Sequence, residues 1–196
     1  TDLFYSGPVN RGNPELSPEH AIHYETGLTS ERNGWRIDFV LFARDGKNMI
    51  DWVRYPEEEI WQSMNHGRVL ISGVESGLVY SSASGNDMAL TEFSLHYSYV
   101  HVTTDALGMV SNYALDHLRH KVDAGMQMQL STKLQLSVQL SYAQRAGGYY
   151  VYGNGQYFGP EPFKPLLMAD ASVRYQMNRM GIVFNGTNLF NSPSVS

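Results

Sequence analysis

Residues 134–142 read Leu-Gln-Leu-Ser-Val-Gln-Leu-Ser-Tyr, with an apolar or aromatic side chain at every even-numbered position and Gln or Ser at every odd one. Successive side chains of a β-strand point to opposite faces, so this period of two places all the apolar groups on one side. An amphipathic helix would instead repeat its apolar residues every three or four positions. The segment therefore predicts a β-strand with one apolar and one polar face.

The same alternation recurs along the rest of the chain. It is clear at Trp35–Phe42, Glu92–Tyr99, Lys121–Leu130 and Ala169–Gln176, and it is weaker at 20–29, 68–80 and 180–188. With the segment around residue 138, this pattern predicts about eight strands of about nine to eleven residues each. Polar turns between them favour sequential antiparallel hairpins.

The connections between these strands alternate in length. Short polar turns are expected at Ser30–Gly34, Ser82–Asp87, Ser131-Thr132 and Met177–Arg179, and long polar stretches at 44–66, 102–119 and 144–165. A soluble β-sandwich has no reason to keep this parity, whereas an outer-membrane barrel has short turns at one rim and long loops at the other. Tilted strands of about ten residues also span a bilayer. The sequence therefore predicts an all-β fold, an antiparallel transmembrane β-barrel.

The two faces of the predicted strands differ in the way that such a barrel requires. The polar face carries mostly Ser, Gln, Gly and Asn, whereas a solvated sheet would carry many Lys and Glu. The apolar face ends in Tyr and Trp, as aromatic girdles at the two membrane interfaces do; these are Trp35, Tyr80, Tyr99, Tyr142 and Tyr175. We expect the lipid side to hold Phe39, Phe93, Leu95, Leu136, Leu140 and Val173. We expect the lumen side to hold Asp38, Ser94, Gln139, Ser141 and Arg174.

Composition and motifs exclude several classes of function. The charge is mildly acidic, with 14 Lys and Arg against 19 Asp and Glu, and no basic block predicts a nucleic-acid partner. The chain has no cysteine, which excludes disulfides and thiol chemistry. No nucleophile elbow, metalloprotease helix or phosphate loop occurs. In a strand the pairs His20/His23 and His117/His120 point to opposite faces. We therefore expect no enzyme, no catalytic residues, no metal site and no cofactor.

Four local patterns carry a resemblance to a known family. Asn13–Glu19 reads Asn-Pro-Glu-Leu-Ser-Pro-Glu, and the strand His23–Leu28 follows it with Tyr-Glu-Thr-Gly. Further along are Asn48-Met49-Ile50-Asp51, then Gly73-Val74-Glu75, and finally Asn188-Leu189-Phe190-Asn191. In this order and on these strands and loops, the patterns resemble the C-terminal part of the barrel of TonB-dependent receptors.

The resemblance has implications for domain organisation. The family has a plug domain inside a 22-stranded barrel. We expect residues 1–196 to form a partial C-terminal β-barrel domain, with the plug domain and the final strand absent. The residues Thr1–Tyr5 lack the charged start and apolar segment of a signal peptide. The opening Thr1–Gly7 with Gly12-Asn13-Pro14 resembles the cobalamin-receptor-like branch.

The resemblance also implies a function. Receptors of this family lie in the outer membrane of Gram-negative bacteria, in contact with its lipid. They import a scarce small-molecule ligand such as cobalamin, haem or an iron chelate (a siderophore complex). An energising TonB-type protein acts through the plug domain. The chemistry expected of this chain is therefore binding and release.

One long loop is a candidate for ligand contact. Tyr149, Tyr150, Tyr152, Tyr157 and Phe158 are interspersed there with several glycines. Aromatic side chains supply large, rigid contact area, and glycine allows a loop to reshape around a ligand. An interfacial aromatic belt explains the same composition. Both interpretations remain open at the level of sequence.

Two functional alternatives also remain. One is an autonomous eight-stranded barrel serving as an adhesin or envelope anchor, although the polar face is poor in the charges that fill such barrels. The other is a soluble secreted β-sandwich that binds sugars through the Tyr-rich loop. Dependence of the purified protein on detergent would separate the sandwich from both membrane proteins.

Overall fold

The computed structural model describes residues 3–193 except 56, 66, 83–88, 105–108, 112–116 and 154–155; for Ser111 and residues 150–160 only the backbone is described. The regular elements of this part are all β-strands. They are β1 (Asn10–Arg11), β2 (His20–Arg32), β3 (Trp35–Lys47), β4 (Ile50–Arg54), β5 (Trp61–Asn65), β6 (Arg68–Ser81), β7 (Ala89–Thr104), β8 (Val110–Ser111), β9 (Leu118–Ser131), β10 (Leu134–Arg145), β11 (Gly148–Gly153), β12 (Gln156–Pro162), β13 (Leu166–Met177) and β14 (Met180–Gly186). In the described ranges, no helix is long and apolar enough to cross a membrane.

Eight long strands form one antiparallel sheet. Their order is β14-β13-β10-β9-β7-β6-β3-β2, so each strand pairs with the neighbours that hairpins along the chain supply. This confirms the predicted strands and their pairing. Seven of them have 12 to 16 residues, longer than predicted, and β14 has seven. The strands are longer because the hydrogen-bond ladder continues beyond the alternating segments, into mostly polar residues at the ends of β2 and β3 and into the apolar residues 166–168 of β13.

The short connections are tight turns. Asn33 and Gly34 join β2 to β3 with φ values of +51° and +82°, the mirror-image turn that matches the twist of a hairpin. A Cβ at residue 34 would lie 2.6 Å from the carbonyl oxygen of Ser81, so this position requires glycine. Residues 132–133 and 178–179 form the other two described turns. The turn predicted at Ser82–Asp87 lies almost wholly outside the described residues.

Strand register separates the side chains into two faces, because directly paired residues point the same way. The "apolar face" carries Phe39, Phe93, Leu95, Leu136, Leu140 and Val173. The "polar face" carries Asp38, Ser94, Gln139, Ser141 and Arg174. The register thus places both groups as the sequence predicts.

Aromatic side chains lie toward both ends of the apolar face. Near the turns, the rings of Trp35 and Tyr80 are 4.8 Å apart. Toward the long connections, the Tyr97 hydroxyl lies 3.0 Å from Nδ1 of His120, and the Tyr99 ring is 5.0 Å from the same imidazole. This is the arrangement of two interfacial girdles with an apolar band between them.

Six short strands lie outside the large sheet, where the sequence predicts only polar loops. β1, β5, β4 and β8 form a four-stranded sheet, in which β1 pairs with β5 in parallel. β11 and β12 form a separate hairpin. Most of the buried side chains belong to the four-stranded sheet, namely Asp51, Trp52, Val53 and Ser63. The predictions of 44–66, 102–119 and 144–165 as loops were therefore incomplete.

Candidate ligand-binding site

All the long connections leave the large sheet at the same end. We name it the loop end; it contains His20, Lys47, Arg68, Leu118 and Arg145. The opposite end, with the tight turns, is the turn end. The four-stranded sheet and the β11–β12 hairpin both belong to the loop end, because they are built from the segments that join strands there. Groups that could contact a ligand are therefore concentrated on one side of the molecule.

The segment before β2 is fastened to the first long connection by two side chains. The Glu19 carboxylate accepts a hydrogen bond of 2.6 Å from the backbone N–H of Ile50. The Asn65 side chain accepts from the Ser17 N–H at 2.8 Å and donates to the carbonyl oxygens of Ser17 and Asn48. The Pro-Glu pattern before β2 and the Ile-Asp pattern in the loop, recognised separately in the sequence, are thus contact partners.

The four-stranded sheet presents an aromatic surface. The Tyr5 ring meets the Trp52 ring edge-on at 6.4 Å, and the Arg54 guanidinium lies 5.1 Å from the Trp61 ring centroid. Phe4 is 83% exposed and Tyr55 is 53% exposed. The Arg54 guanidinium suits an anionic aromatic ligand, since a cation is attracted to an anion and to a ring face. The sequence analysis missed this surface, although Trp52 and Trp61 within one loop were a usable signal.

The predicted Tyr-rich site folds as the β11–β12 hairpin. Its backbone pairs Tyr152 with Tyr157 and Tyr150 with Pro160. Tyr149 is 48% exposed, and its ring lies 5.9 Å from that of Phe163. The Arg145 guanidinium lies 4.8 Å from the same Phe163 ring. The side chains of Tyr150, Tyr152, Tyr157 and Phe158 are outside the described part of the chain, so their role in ligand contact stays a prediction.

The polar face carries two clusters of hydrogen-bonding groups. Asp38 accepts from Thr29 Oγ1 and from Arg36 Nε, each at 2.8 Å. Three strands away, Asp123 is paired with Lys121 at 2.9 Å and accepts from the Ser141 hydroxyl. Shallow cavities of about 280 and 340 Å³ lie over these clusters. The face therefore offers donors and acceptors to whatever lies against it.

Metal-ligating groups are dispersed on the described residues. No three His, Asp or Glu side chains come close enough there to hold a metal ion. His20 and His23 lie on opposite faces of β2, as their spacing predicts. His23 is 3.2 Å from Glu25 on the polar face, whereas His20 belongs to the apolar face.

The Asn-Leu-Phe-Asn pattern closes the edge of β13 beyond the end of β14. Asn188, at φ +49°, donates its backbone N–H to the Asp170 carboxylate at 2.7 Å. Its side chain donates to the carbonyl oxygen of Ser192 and accepts from the N–H of the same residue. Leu189 donates its N–H to the carbonyl oxygen of Ala169. The element is thus a structural cap toward the loop end.

Comparison with known proteins identifies relatives. The sequence model of the family described as "TonB dependent receptor-like, beta-barrel" matches residues 1–189. The comparison with curated proteins gave no match. Among solved structures, a ferric enterobactin receptor of Pseudomonas aeruginosa in complex with enterobactin is similar, with a TM-score of 0.66 at 19% identity over 92% of this chain and 27% of that one.

Two further structures show the same fold. A siderophore receptor of Acinetobacter baumannii has a TM-score of 0.67 at 16% identity, covering 92% of this chain and 29% of that chain. The ferric-catecholate import receptor of E. coli has a TM-score of 0.67 at 18% identity, covering 96% and 26%. The chain therefore spans between 26% and 29% of the length of these three structures.

Proposed function

Because the chain belongs to the TonB-dependent receptor-like β-barrel family, we propose that it forms part of an outer-membrane receptor that imports an iron chelate. The apolar face would contact membrane lipid, and the polar face would line the lumen. The observation that carries the proposal is the concentration of aromatic and guanidinium groups at the loop end, above a wall of polar side chains. The receptor would bind and release its ligand without making or breaking covalent bonds.

The proposed orientation of the barrel in the membrane follows from the lengths of the connections between strands. Outer-membrane barrels have short turns on the periplasmic side and long loops outside the cell. The turn end would therefore face the periplasm, and the four-stranded sheet and the hairpin would face the medium. Energy would come from a TonB-type protein that acts through a plug domain elsewhere in the complete receptor. The polar face would enclose this plug domain.

An iron chelate is the ligand class that the similar structures favour. Their names describe receptors for ferric enterobactin, other siderophores or ferric catecholates. A ferric catecholate is anionic and aromatic, and the Arg54–Trp61 and Arg145–Phe163 pairs at the loop end have matching chemistry. Cobalamin, to which the start of the chain gave a resemblance, and haem are the alternatives that the test must include.

The test is equilibrium binding to the complete receptor, purified in detergent, with a ferric catecholate, a ferric hydroxamate, haem and cyanocobalamin. We expect saturable binding of the ferric catecholate. Replacing Tyr150 and Tyr152 by alanine should weaken that binding about thirtyfold or more, because a buried aromatic anchor contributes about 2 kcal/mol. Tyr175→Ala, at the turn end, is the matched control and should leave affinity unchanged.

Other results would change the proposal in defined ways. If the receptor binds only cyanocobalamin or only haem tightly, that compound and not an iron chelate is the ligand. A normal affinity in the Tyr150 and Tyr152 double variant, together with a smaller fraction of heat-modifiable folded barrel, would assign the hairpin to an interfacial belt.

A further inference from the structure

The polar face becomes apolar in one place near the loop end. Two rows of directly paired residues cross β3, β6 and β7 there, and paired residues point the same way. The rows place a group of apolar side chains side by side; these are Phe42 and Val100 in one row and Ile71 and Val102 in the other. We name these four residues the upper-wall patch, and each of them is half-buried. An apolar patch with a polar rim is typical of a binding site.

The Phe42 ring of the upper-wall patch is paired with a second ring. It occupies the space next to Gly73 on β6, because a Cβ at residue 73 would overlap it. The centroid of the His23 imidazole lies 6.3 Å from that of the Phe42 ring, and the two planes are inclined by 25°. Rings held in this way can stack with a further aromatic ring. The pair therefore suits a ligand that carries aromatic groups.

An unpaired cation borders the same ring. Arg44 follows Phe42 on the polar face of β3 and is directly paired with His23 and Ile71. It is exposed, and its guanidinium makes no hydrogen bond or ion pair with the described residues. Glu25, the carboxylate on β2 beside Phe42, already has the His23 imidazole at 3.2 Å. The guanidinium is therefore available to an anion that comes from outside these strands.

We propose that the upper-wall patch and Arg44 form an inner subsite, which receives one anionic aromatic arm of the imported iron chelate. The arm would stack on Phe42, and its anionic oxygens would accept charge-assisted hydrogen bonds from Arg44. Glu75, one residue pair nearer the turn end on the same face, would repel the anion and limit how far it enters. The inference rests on the proposed function, since it takes the polar face to line the lumen and the ligand to be an iron chelate.

The test is equilibrium binding of the ferric complex of a tris-catecholate siderophore to the complete receptor in detergent, at low and at high salt. Phe42→Leu and Arg44→Gln should each weaken binding about tenfold, whereas Phe42→Tyr and Arg44→Lys should keep most of the affinity. Only Arg44→Gln should also reduce the loss of affinity that salt causes, because the guanidinium acts through its charge. Arg174→Gln is the matched control and should change neither quantity, since Arg174 is exposed on the same face nearer the turn end.

The possible outcomes separate the subsite from the proposed function. Heat-modifiability on gels confirms that each variant is folded. No binding of the catecholate complex by the wild type would refute the proposed function and the subsite with it. Normal binding by the wild type, with the same affinity in Phe42→Leu and Arg44→Gln, would overturn the subsite alone. If these two variants then unfold at a lower temperature than Arg174→Gln, the upper-wall patch contacts the plug domain and not the ligand.

Discussion

An arginine at Val138 tests the assignment of the two faces and of depth in the membrane. The alternating part of β10 runs from Leu134, which is paired with Tyr175 of the turn-end girdle, to Tyr142 near the loop end. Val138 is the midpoint of this stretch and is directly paired with Met126 and Ala171 on the apolar face. The side chain at 138 is therefore the one furthest from both interfaces.

The expected loss of stability in Val138→Arg follows from the depth of this position. The nine residues from 134 to 142, which are eight steps along the strand, span roughly 27 Å, or about 20 Å of depth at a tilt near 40°. Val138→Arg should lower the free energy of unfolding by about 2–4 kcal/mol, the value for a lipid-facing cation near the midplane. Leu140, which is also on the apolar face, lies about 7 Å along the strand closer to the loop-end girdle. Leu140→Arg should therefore cost less than Val138→Arg.

Gln139→Arg is the matched control, because Gln139 lies between these residues on the polar face, directly paired with Gly125 and Asp170. Its cost should stay within about 0.5 kcal/mol. The assay is urea unfolding of the complete receptor in lipid vesicles, followed by tryptophan fluorescence. Equal costs at 138 and 139 would refute the two-face assignment. A larger cost at 140 than at 138 would refute the depth.

Three further predictions concern stability. Gly73→Ala should lower the free energy of unfolding in urea by about 1–3 kcal/mol, because the new Cβ would overlap the Phe42 ring and a backbone oxygen of β7. Adding Phe42→Ala to this variant should recover only part of the loss, because the backbone oxygen remains. Glu19→Ala should cost about 1 kcal/mol and speed hydrogen exchange of the Ile50 amide, with no change in exchange at the centre of β10. Asn188→Ala should cost about 2 kcal/mol, since it loses side-chain hydrogen bonds and strains a positive φ. Asn188→Gly should cost less, and equal melting temperatures of the two variants would exclude the strain.

The eight long strands were predictable because each carries enough residues to show a period of two. In β10, apolar and polar side chains alternate from Leu134 to Tyr142 without an exception. Asn33-Gly34 is also a local signal, since the required positive φ values select those residues. The ends of the strands were less predictable. Beyond the proposed lipid boundary either face would contact water or headgroups, so pairing can continue without a sequence pattern.

The short strands at the loop end show no such period of two in the sequence. β1 and β8 have two residues each, too few to show any period. The pairing of Asn10 with Trp61 joins segments about fifty residues apart, and the contact of Glu19 with Ile50 joins segments about thirty residues apart. A stretch rich in Tyr and Gly is equally consistent with a ligand loop and an interfacial belt, because both need amphipathic rings. Composition therefore located the candidate site without deciding what it contacts.

Glycines on the polar face indicate how wide the interior of the barrel is. Glycine usually weakens a strand, yet Gly73, Gly77 and Gly125 lie within β6 and β9. The Phe42 ring lies over Gly73, His96 Nδ1 is 3.1 Å from the position of a Cβ at Gly77, and the Ser94 hydroxyl is 2.7 Å from that at Gly125. Side chains of the neighbouring strands thus occupy the space that a Cβ at these glycines would take. An eight-stranded barrel closed on itself must fill its interior with its own side chains. A wall kept thin in this way suits a wide barrel that encloses another domain or a path for a ligand.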